Sequence, residues 1–382
     1  MKIKFKQVLV LFGTRYNHLF HRGIAAYARQ TIWHLSVWMH PDSQPFPAMG
    51  SVDGVLVADD FPERVLRPLL DSGVPGVSLI ARSDGLEFAQ VAGDNFGIGQ
   101  MAGEHFRERG FKNYAYFGPS DALWSSLRRD GFRQAVAEPA ETFAEIRALP
   151  TPGRAPLQWA EEKRALCTQI AALPRPCALF CVSDPLACRV LDACLELGLK
   201  VPEEMAILGV DDDPLYCESV AVPISSVRHD VASVGFRAAQ QLERLMNGGE
   251  FLEAERIAPL GIAVRRSTDH YAAEDPAVLV ALHFMDENYA KNIGVADVAT
   301  ATGRSLRTLQ SLFRKELHES VVERITRTRL AKAKEWLERS SIPVAEVAAR
   351  TGFSSSGYFH RVFKSRFGCT PAQFAKQIKG KR

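Results

Sequence analysis

Ile342-Pro-Val-Ala-Glu-Val-Ala-Ala-Arg-Thr-Gly-Phe-Ser-Ser-Ser-Gly-Tyr-Phe-His-Arg-Val-Phe-Lys364 decides how the last third of the chain folds. It reads as a short apolar-faced helix, a glycine turn at Gly352 and a second amphipathic helix. The same pattern occurs upstream. Val295-Ala-Asp-Val-Ala299 precedes Val344-Ala-Glu-Val-Ala348 by 49 positions, and Thr302-Gly303 answers Thr351-Gly352. Leu312-Phe313-Arg314 answers Val362-Phe363-Lys364 at an offset of 50, so the second turn is one residue longer. Helix, glycine turn and helix is the layout of a helix-turn-helix, and two copies predict two major-groove contacts from one chain.

The spacing sorts each unit into a core side and an outer side. In the first, Val295–Thr302 is the supporting helix and Ser305 is the expected N-cap of the next one. Leu309, Leu312 and Phe313 face inward, leaving Arg307, Gln310, Ser311 and Arg314 outward. In the second, Pro343 stands at the helix start and Ser354 to Ser356 offer capping hydroxyls. Phe359, Val362, Phe363 and Phe367 form the inward stripe, and Ser356, Gly357, His360, Arg361 and Lys364 lie outward. Arginine and glutamine can hold guanine or adenine edges with two hydrogen bonds. A helix over 321–339 joins the units; at 1.5 Å per residue it spans about 28 Å, near the ~34 Å between successive major-groove faces.

Charge is divided in the same way. Residues 276–382 carry 19 Lys and Arg against 9 Asp and Glu, a net +10, whereas residues 1–275 carry 28 against 35, a net −7. A basic module on an acidic body is the electrostatic footprint of a nucleic-acid binder. The seven cysteines form no disulfide framework, which fits a reducing cytoplasm. Cys177-Ala-Leu-Phe-Cys181 reads as a buried strand with no second ligand pair, so no metal is expected. Val8–Phe12 is too short for a signal-peptide core, and no stretch approaches the ~20 apolar residues that span a bilayer.

Residues 7–265 alternate apolar runs with amphipathic stretches. Expected strands are Gln7–Phe12, Gly54–Ala58, Gly76–Ile80, Tyr114–Phe117, Ala178–Val182 and Met205–Val210. Helices such as Ile98–Arg109 and Leu186–Leu197 separate them, which predicts parallel α/β sheets in two lobes. Ligands of such sheets bind beyond the carboxyl ends of the strands. Those ends carry Arg15 and Tyr16, Asp59, Trp124 and Arg128, Asp184 and Asp211. Carboxylates, an arginine and an indole on one rim suit a polyol: the charged groups hold hydroxyls and the ring faces C–H groups.

Two resemblances sharpen this reading. The region 285–376 is similar to the AraC/XylS family, most specifically in the 342–364 stretch and in Phe367-Gly-Cys-Thr-Pro-Ala-Gln-Phe374. That likeness places base readers at Arg307, Gln310 and Ser311, and at Ser356, Gly357, His360 and Arg361. Asp94-Asn95, Cys181-Val-Ser-Asp184-Pro-Leu-Ala187, Val201-Pro-Glu-Glu-Met-Ala-Ile-Leu-Gly-Val-Asp-Asp212 and Pro223-Ile-Ser-Ser-Val227 resemble the lac-repressor and periplasmic-binding-protein sensors. This second likeness implies that Arg128, Asp184 and Asp211 hold a sugar. Sensor followed by AraC-type module resembles the family of xylose-operon regulators. The implied organisation is a two-lobed periplasmic-binding-protein-like sensor with parallel sheets over 1–268, a linker over 269–276, and an all-α domain with two helix-turn-helix motifs over 277–382. The implied function is a cytoplasmic, sugar-responsive, sequence-specific transcription regulator of pentose utilisation, more an activator than a repressor. Its expected partners are double-stranded DNA, a sugar, a second copy of the chain and RNA polymerase, with no cofactor and no membrane.

An enzymatic alternative rests on Gly97-Ile-Gly99-Gln-Met-Ala102, which fits a dinucleotide fingerprint. The preceding Phe88-Ala-Gln-Val-Ala-Gly-Asp94 reads as a poor strand, which weakens it. No G-x-S-x-G element points to a hydrolase.

Overall fold

The computed structural model describes residues 5–13, 16–39, 52–82, 85–120, 122–138, 140–147, 156–250, 253–273, 275–317, 319–339 and 342–379. The chain divides into two compact units, Met1–Arg107 with Phe111–His270, and Tyr271–Arg382 with Glu108–Gly110.

The first unit holds two six-stranded sheets. One comprises β1 (Lys6–Phe12), β2 (Trp33–Met39), β3 (Gly54–Val57), β4 (Gly76–Ser78), β5 (Ala89–Gly93) and β11 (Glu255–Ile257) in the order β11-β5-β4-β3-β1-β2. Every pairing in it is parallel. The other comprises β6 (Asn113–Gly118), β7 (Thr142–Arg147), β8 (Cys177–Cys181), β9 (Met205–Val210), β10 (Ser225–Val227) and β12 (Ile262–Ala263) in the order β12-β10-β9-β8-β6-β7. There only β12 runs antiparallel. Strands β1, β3, β8 and β9 are close to wholly buried, as their unbroken apolar runs require when helices cover both faces. Both strand orders reverse direction beside the first strand of the lobe, which opens a crevice at that point in each sheet.

One expected weakness is corrected. Ala89–Gly93 is a strand, held between β4 and β11, even though it has few bulky residues. The strand leads straight into α3 (Asn95–Glu108), the first crossing between lobes. Asp94 caps that helix by accepting from the Gly97 N–H at 2.9 Å. The second crossing leads from β10 into α8 (Val231–Met246), capped by Asp230 at 3.1 Å from the Ser233 N–H.

Each crossing helix packs on its new lobe's first helix through paired glycines. A Cβ on Gly99 of α3 would stand 2.0 Å from the Arg128 carbonyl of α4 (Leu123–Val136), and one on Gly131 would stand 2.1 Å from the Phe96 carbonyl. Likewise a Cβ on Gly23 of α1 (His18–Ala28) would meet the Ala232 carbonyl of α8 at 2.0 Å. Gly99 is therefore a helix-packing residue, and a Cβ on Gly97 would meet the capping Asp94 carboxylate. Both glycines of the apparent dinucleotide fingerprint are accounted for by local packing.

The second unit is helical: α9 (Pro276–Asn288), α10 (Val295–Thr302), α11 (Leu306–Leu317), α12 (Val321–Arg339), α13 (Val344–Arg350), α14 (Ser356–Phe367) and α15 (Pro371–Lys379). Two apolar clusters are strung along α12. Val321 and Ile325 join Val278, Leu282, Leu309 and Phe313, and Leu330, Ala333 and Leu337 join Val347, Phe353, Phe359 and Phe363. Gly303 has a φ of 64° and Gly352 of 79°, a region glycine adopts without strain. Tyr271 and Ala273 already pack against the first of these clusters, ahead of α9 itself.

Candidate functional site

The rim of the sensor unit is assembled by strand ends. On the first lobe, β3 runs into Asp59, which is buried and lies over Gly13 at the end of β1. Asp60 accepts from Trp124 Nε1 of the opposite lobe at 3.0 Å, and His18 Nδ1 lies 3.6 Å from Asp213 Oδ2. These contacts join the two rims. Tyr16 is 43% exposed and its hydroxyl meets His21 Nδ1 at 2.6 Å. Arg15 lies outside the described residues.

Arg128 is the centre of the second rim. It is only 5% exposed. Its Nε donates to Asn95 Oδ1 at 2.9 Å, its Nη1 to the Val182 carbonyl, and its Nη2 lies 3.4 Å from His229 Nδ1. The guanidinium also sits 5.4 Å from the centroid of the Trp124 ring. Burial lowers its pKa from the ordinary arginine value, while the Asp211, Tyr116 and Asp184 charges oppose that shift. Asp130, by contrast, pairs with Arg129.

Asp211 and Asp212 have φ values of 109° and 57°, a backbone region that side-chain-bearing residues seldom occupy. Strained positions of this kind persist only where their surroundings hold them, and they cluster at functional sites. Asp211 Oδ1 stands 3.2 Å from His229 Nδ1. That one nitrogen thus faces both a donor, Arg128, and an acceptor, Asp211. His229 Nε2 is buried without a hydrogen-bond partner, and a Cβ on Gly93 would stand 2.1 Å from it. His229 therefore wedges between the first two of the three crossings.

Asp184 is wholly buried. It accepts from Ser226 Oγ at 2.6 Å and from the Asp213 N–H at 2.9 Å. Burial pushes its carboxyl up to about 8, with the Asp211 charge adding and the hydrogen bonds opposing. The folded chain thus holds this proton more tightly than the unfolded chain does. The resulting stability is full below about pH 4 and is lost as pH rises through about 8, at up to about 1.4 kcal/mol per pH unit. Asp184→Asn is expected to flatten that slope in denaturant titrations between about pH 5 and about pH 8. A slope equal to that of the unsubstituted chain would contradict the assignment.

Asn95, His229 and His18 were not among the residues expected from strand ends. The signal they share is position at a helix start: Asn95 opens α3 and His229 precedes the cap of α8.

In the second unit, Arg307, Gln310, Ser311 and Arg314 are exposed on α11, and Ser356, Gly357, Arg361 and Lys364 on α14. His360 is half-buried, and its Nδ1 lies 2.8 Å from the Ser356 carbonyl, so one ring nitrogen is tied to its own helix. The Arg361 guanidinium lies 5.4 Å from the Tyr358 ring centroid. Glycine at 357 offers only backbone. The two halves are fixed to each other through Arg329 of α12, which donates to the Tyr289 carbonyl at 3.0 Å and the Lys291 carbonyl at 2.8 Å. A Cβ on Gly352 would strike that same Tyr289 carbonyl at 2.2 Å. The turn of the second motif is thereby seated against the end of α9.

Residues 104–268 match the periplasmic binding protein-like domain and residues 298–377 a helix-turn-helix domain. The xylose operon regulatory protein of Escherichia coli K12 is 30% identical over 330 residues, covering 84% of this chain and 83% of that one. The chain belongs to the family of the xylose operon regulatory protein. The Haemophilus influenzae member is 27% identical over 85% of each chain. The solved structure of a xylose-binding transcription activator superposes with a TM-score of 0.60 at 27% identity, covering 98% of this chain and 99% of that one. A regulator of the lac-repressor family from Enterococcus faecium, solved with ribose, shares the fold of the sensor at a TM-score of 0.58 and 20% identity. As a member of this family the chain is a DNA-binding transcription regulator and not an enzyme, so the oxidoreductase alternative falls. Among the described residues no helix is long and apolar enough to cross a membrane.

Proposed function

We propose that the sensor takes a pentose between its lobes and that occupation strengthens binding of α11 and α14 to DNA, activating a pentose-utilisation operon. The observation that carries this is the Arg128–His229–Asp211 cluster beside the Trp124 ring, at strand ends of the second lobe, with Trp124 bonded to Asp60 of the first. Arg128, Asp211 and Asp59 supply hydroxyl partners and Trp124 the apolar face, with Tyr16 at the exposed edge of the first rim. Asp184, whose two oxygens are already engaged, supports the Asp211–Asp213 turn from behind. Xylose, which the similar solved activator is named as binding, is the first sugar to test. The reading includes action in the cytoplasm as a homodimer that contacts RNA polymerase. Exposed Leu215 and Tyr216, on a one-turn helix after β9, offer apolar surface for a second copy.

A thermal-shift panel of D-xylose, D-ribose, L-arabinose and D-glucose tests the sugar site: a pentose raises the transition, and no shift with any of them overturns the site. On the DNA side, Arg361→Ala is expected to cost about 1–3 kcal/mol at the cognate operator and to relax one base position, whereas Lys364→Ala weakens all sequences alike. Equal losses on cognate and random duplex for Arg361→Ala would reassign it to the phosphate backbone.

A further inference from the structure

The chain leaves the sensor through Arg265–Thr268, ending in a short 3-10 turn over Arg266–Thr268. This exit is pinned from within. Ser225 Oγ accepts from the Arg265 N–H at 2.8 Å and from Thr268 Oγ1 at 2.7 Å, and donates to the Arg265 carbonyl at 2.8 Å. Ser267 Oγ donates to the Ile207 carbonyl of β9 and accepts from the Ser225 N–H. Thr268 also meets His105 Nε2 of α3 at 2.9 Å. Ser267 and Thr268 are fully buried. The neighbouring residue of β10, Ser226, points the other way, as strand alternation dictates. It accepts from the Asp212 N–H at 3.0 Å and donates to Asp184.

The strained pair at the end of β9 spans these two faces. Asp211 turns its carboxylate to His229 and the Arg128 cluster. Asp212, next in sequence, turns its own to Arg265 Nη1 at 2.8 Å. Arg265 is held in place by Glu218 at 3.0 Å and by the Ile224 carbonyl at 3.1 Å. Two consecutive residues on one over-determined turn therefore grip the rim and the exit segment. A shift of a few tenths of an ångström at Asp211 cannot be absorbed by free rotation of the backbone there, because both residues already stand outside the broad allowed regions. It must pass to Asp212 and its partner.

We infer that Asp212 and Arg265 form the link by which occupation of the cleft is felt at the sensor's exit, with Arg265 a positioning residue for the DNA response rather than a sugar ligand. The inference rests on the sugar-responsive reading above. The turn moves with the ligand, the ion pair carries the motion to Arg265, and the hydroxyl network moves Arg265–Thr268 as one piece. The covalent chain then carries it into Tyr271, where the DNA-binding unit begins.

The test uses the full chain, with D-xylose as probe. DNA affinity is measured with and without the sugar, and sugar affinity is measured separately. The unsubstituted chain is expected to show a ratio within the usual allosteric range of about 5- to 150-fold. In Arg265→Met that ratio is expected to fall to within about twofold of unity while sugar affinity changes by less than about threefold. Asp212→Asn, which tolerates the left-handed backbone, is the second variant and should behave alike. A merely structural role would move sugar affinity and thermal stability along with the ratio. Variants that retain the full ratio overturn the link alone. An unsubstituted chain whose DNA affinity ignores bound D-xylose overturns the sugar-responsive reading, and the link with it.

Discussion

Arg128→Met is expected to weaken sugar binding sharply and to lower the stability of the sensor unit by about 3–5 kcal/mol. The cause is what the substitution leaves behind. Asn95 Oδ1 and the Val182 carbonyl lose their donor, and the Asp211 carboxylate loses the cation beside it, all in a region from which water is nearly excluded. Methionine fills part of the volume and none of the hydrogen bonds. For a unit of this size the loss lowers the sensor's thermal transition by on the order of 10 °C. Sugar affinity is expected to fall by about a hundredfold or more, since a charge-assisted contact to a hydroxyl pair contributes about 1.5–3 kcal/mol on top of the disturbed rim. Calorimetry with and without D-xylose reads both effects. A variant that binds the sugar as before would remove Arg128 from the site, whatever its stability.

Phe359→Ala is expected to loosen the second helix-turn-helix and to halve the footprint on DNA. Phe359 is fully buried between Phe353 and Phe363, with ring centroids 4.9 and 5.5 Å away. Truncating a phenylalanine in such a setting costs about 3–5 kcal/mol. The cluster it belongs to is small and, among the described residues, is drawn from the end of α12, α13, α14, α15 and the adjoining Ile342 and Phe353. Helix α14 would then no longer present Arg361 and Lys364 at a fixed depth. The slope of log affinity against log salt should shallow by about 0.9 for each phosphate that α14 no longer neutralises. Protection of one major groove should vanish while that under α11 survives, because the first cluster draws on α9, α10 and α11. Unchanged protection of both grooves would show that the second motif does not read DNA.

The DNA-binding half was readable almost residue by residue from its sequence. Helices α10 and α12 span the residues their periodicity predicts, because glycine turns, caps and apolar stripes there all point to the same structure. The sensor was readable as alternating strands and helices, with the central strands in place. The strands that went unread are those whose stability is borrowed. Strands β2 and β7 are sheet edges, β2 with an exposed Val37 and Met39, and β10, β11 and β12 are two- or three-residue pieces fixed by pairing. Trp124, Arg128 and Asp211, which the structure brings together, were singled out because open α/β sheets place ligand groups at strand ends. Asn95 and His229 were not, because they reach the same place from the starts of crossing helices, which only the three-dimensional path reveals. Gly97 and Gly99 misled for a related reason. A glycine needed so that two helices can touch looks, in one dimension, like a glycine needed so that a phosphate can approach.

The claim on which the rest depends is that one chain links a sugar cleft to two DNA-reading helices. Its most direct test is operator affinity, measured by fluorescence anisotropy across a D-xylose titration that spans sugar saturation. The predicted result is a tightening of about fivefold or more that saturates with the sugar, and a reciprocal tightening of sugar by operator to the same factor. Superimposable operator-binding curves at zero and saturating sugar, in a chain shown to bind that sugar, would contradict it.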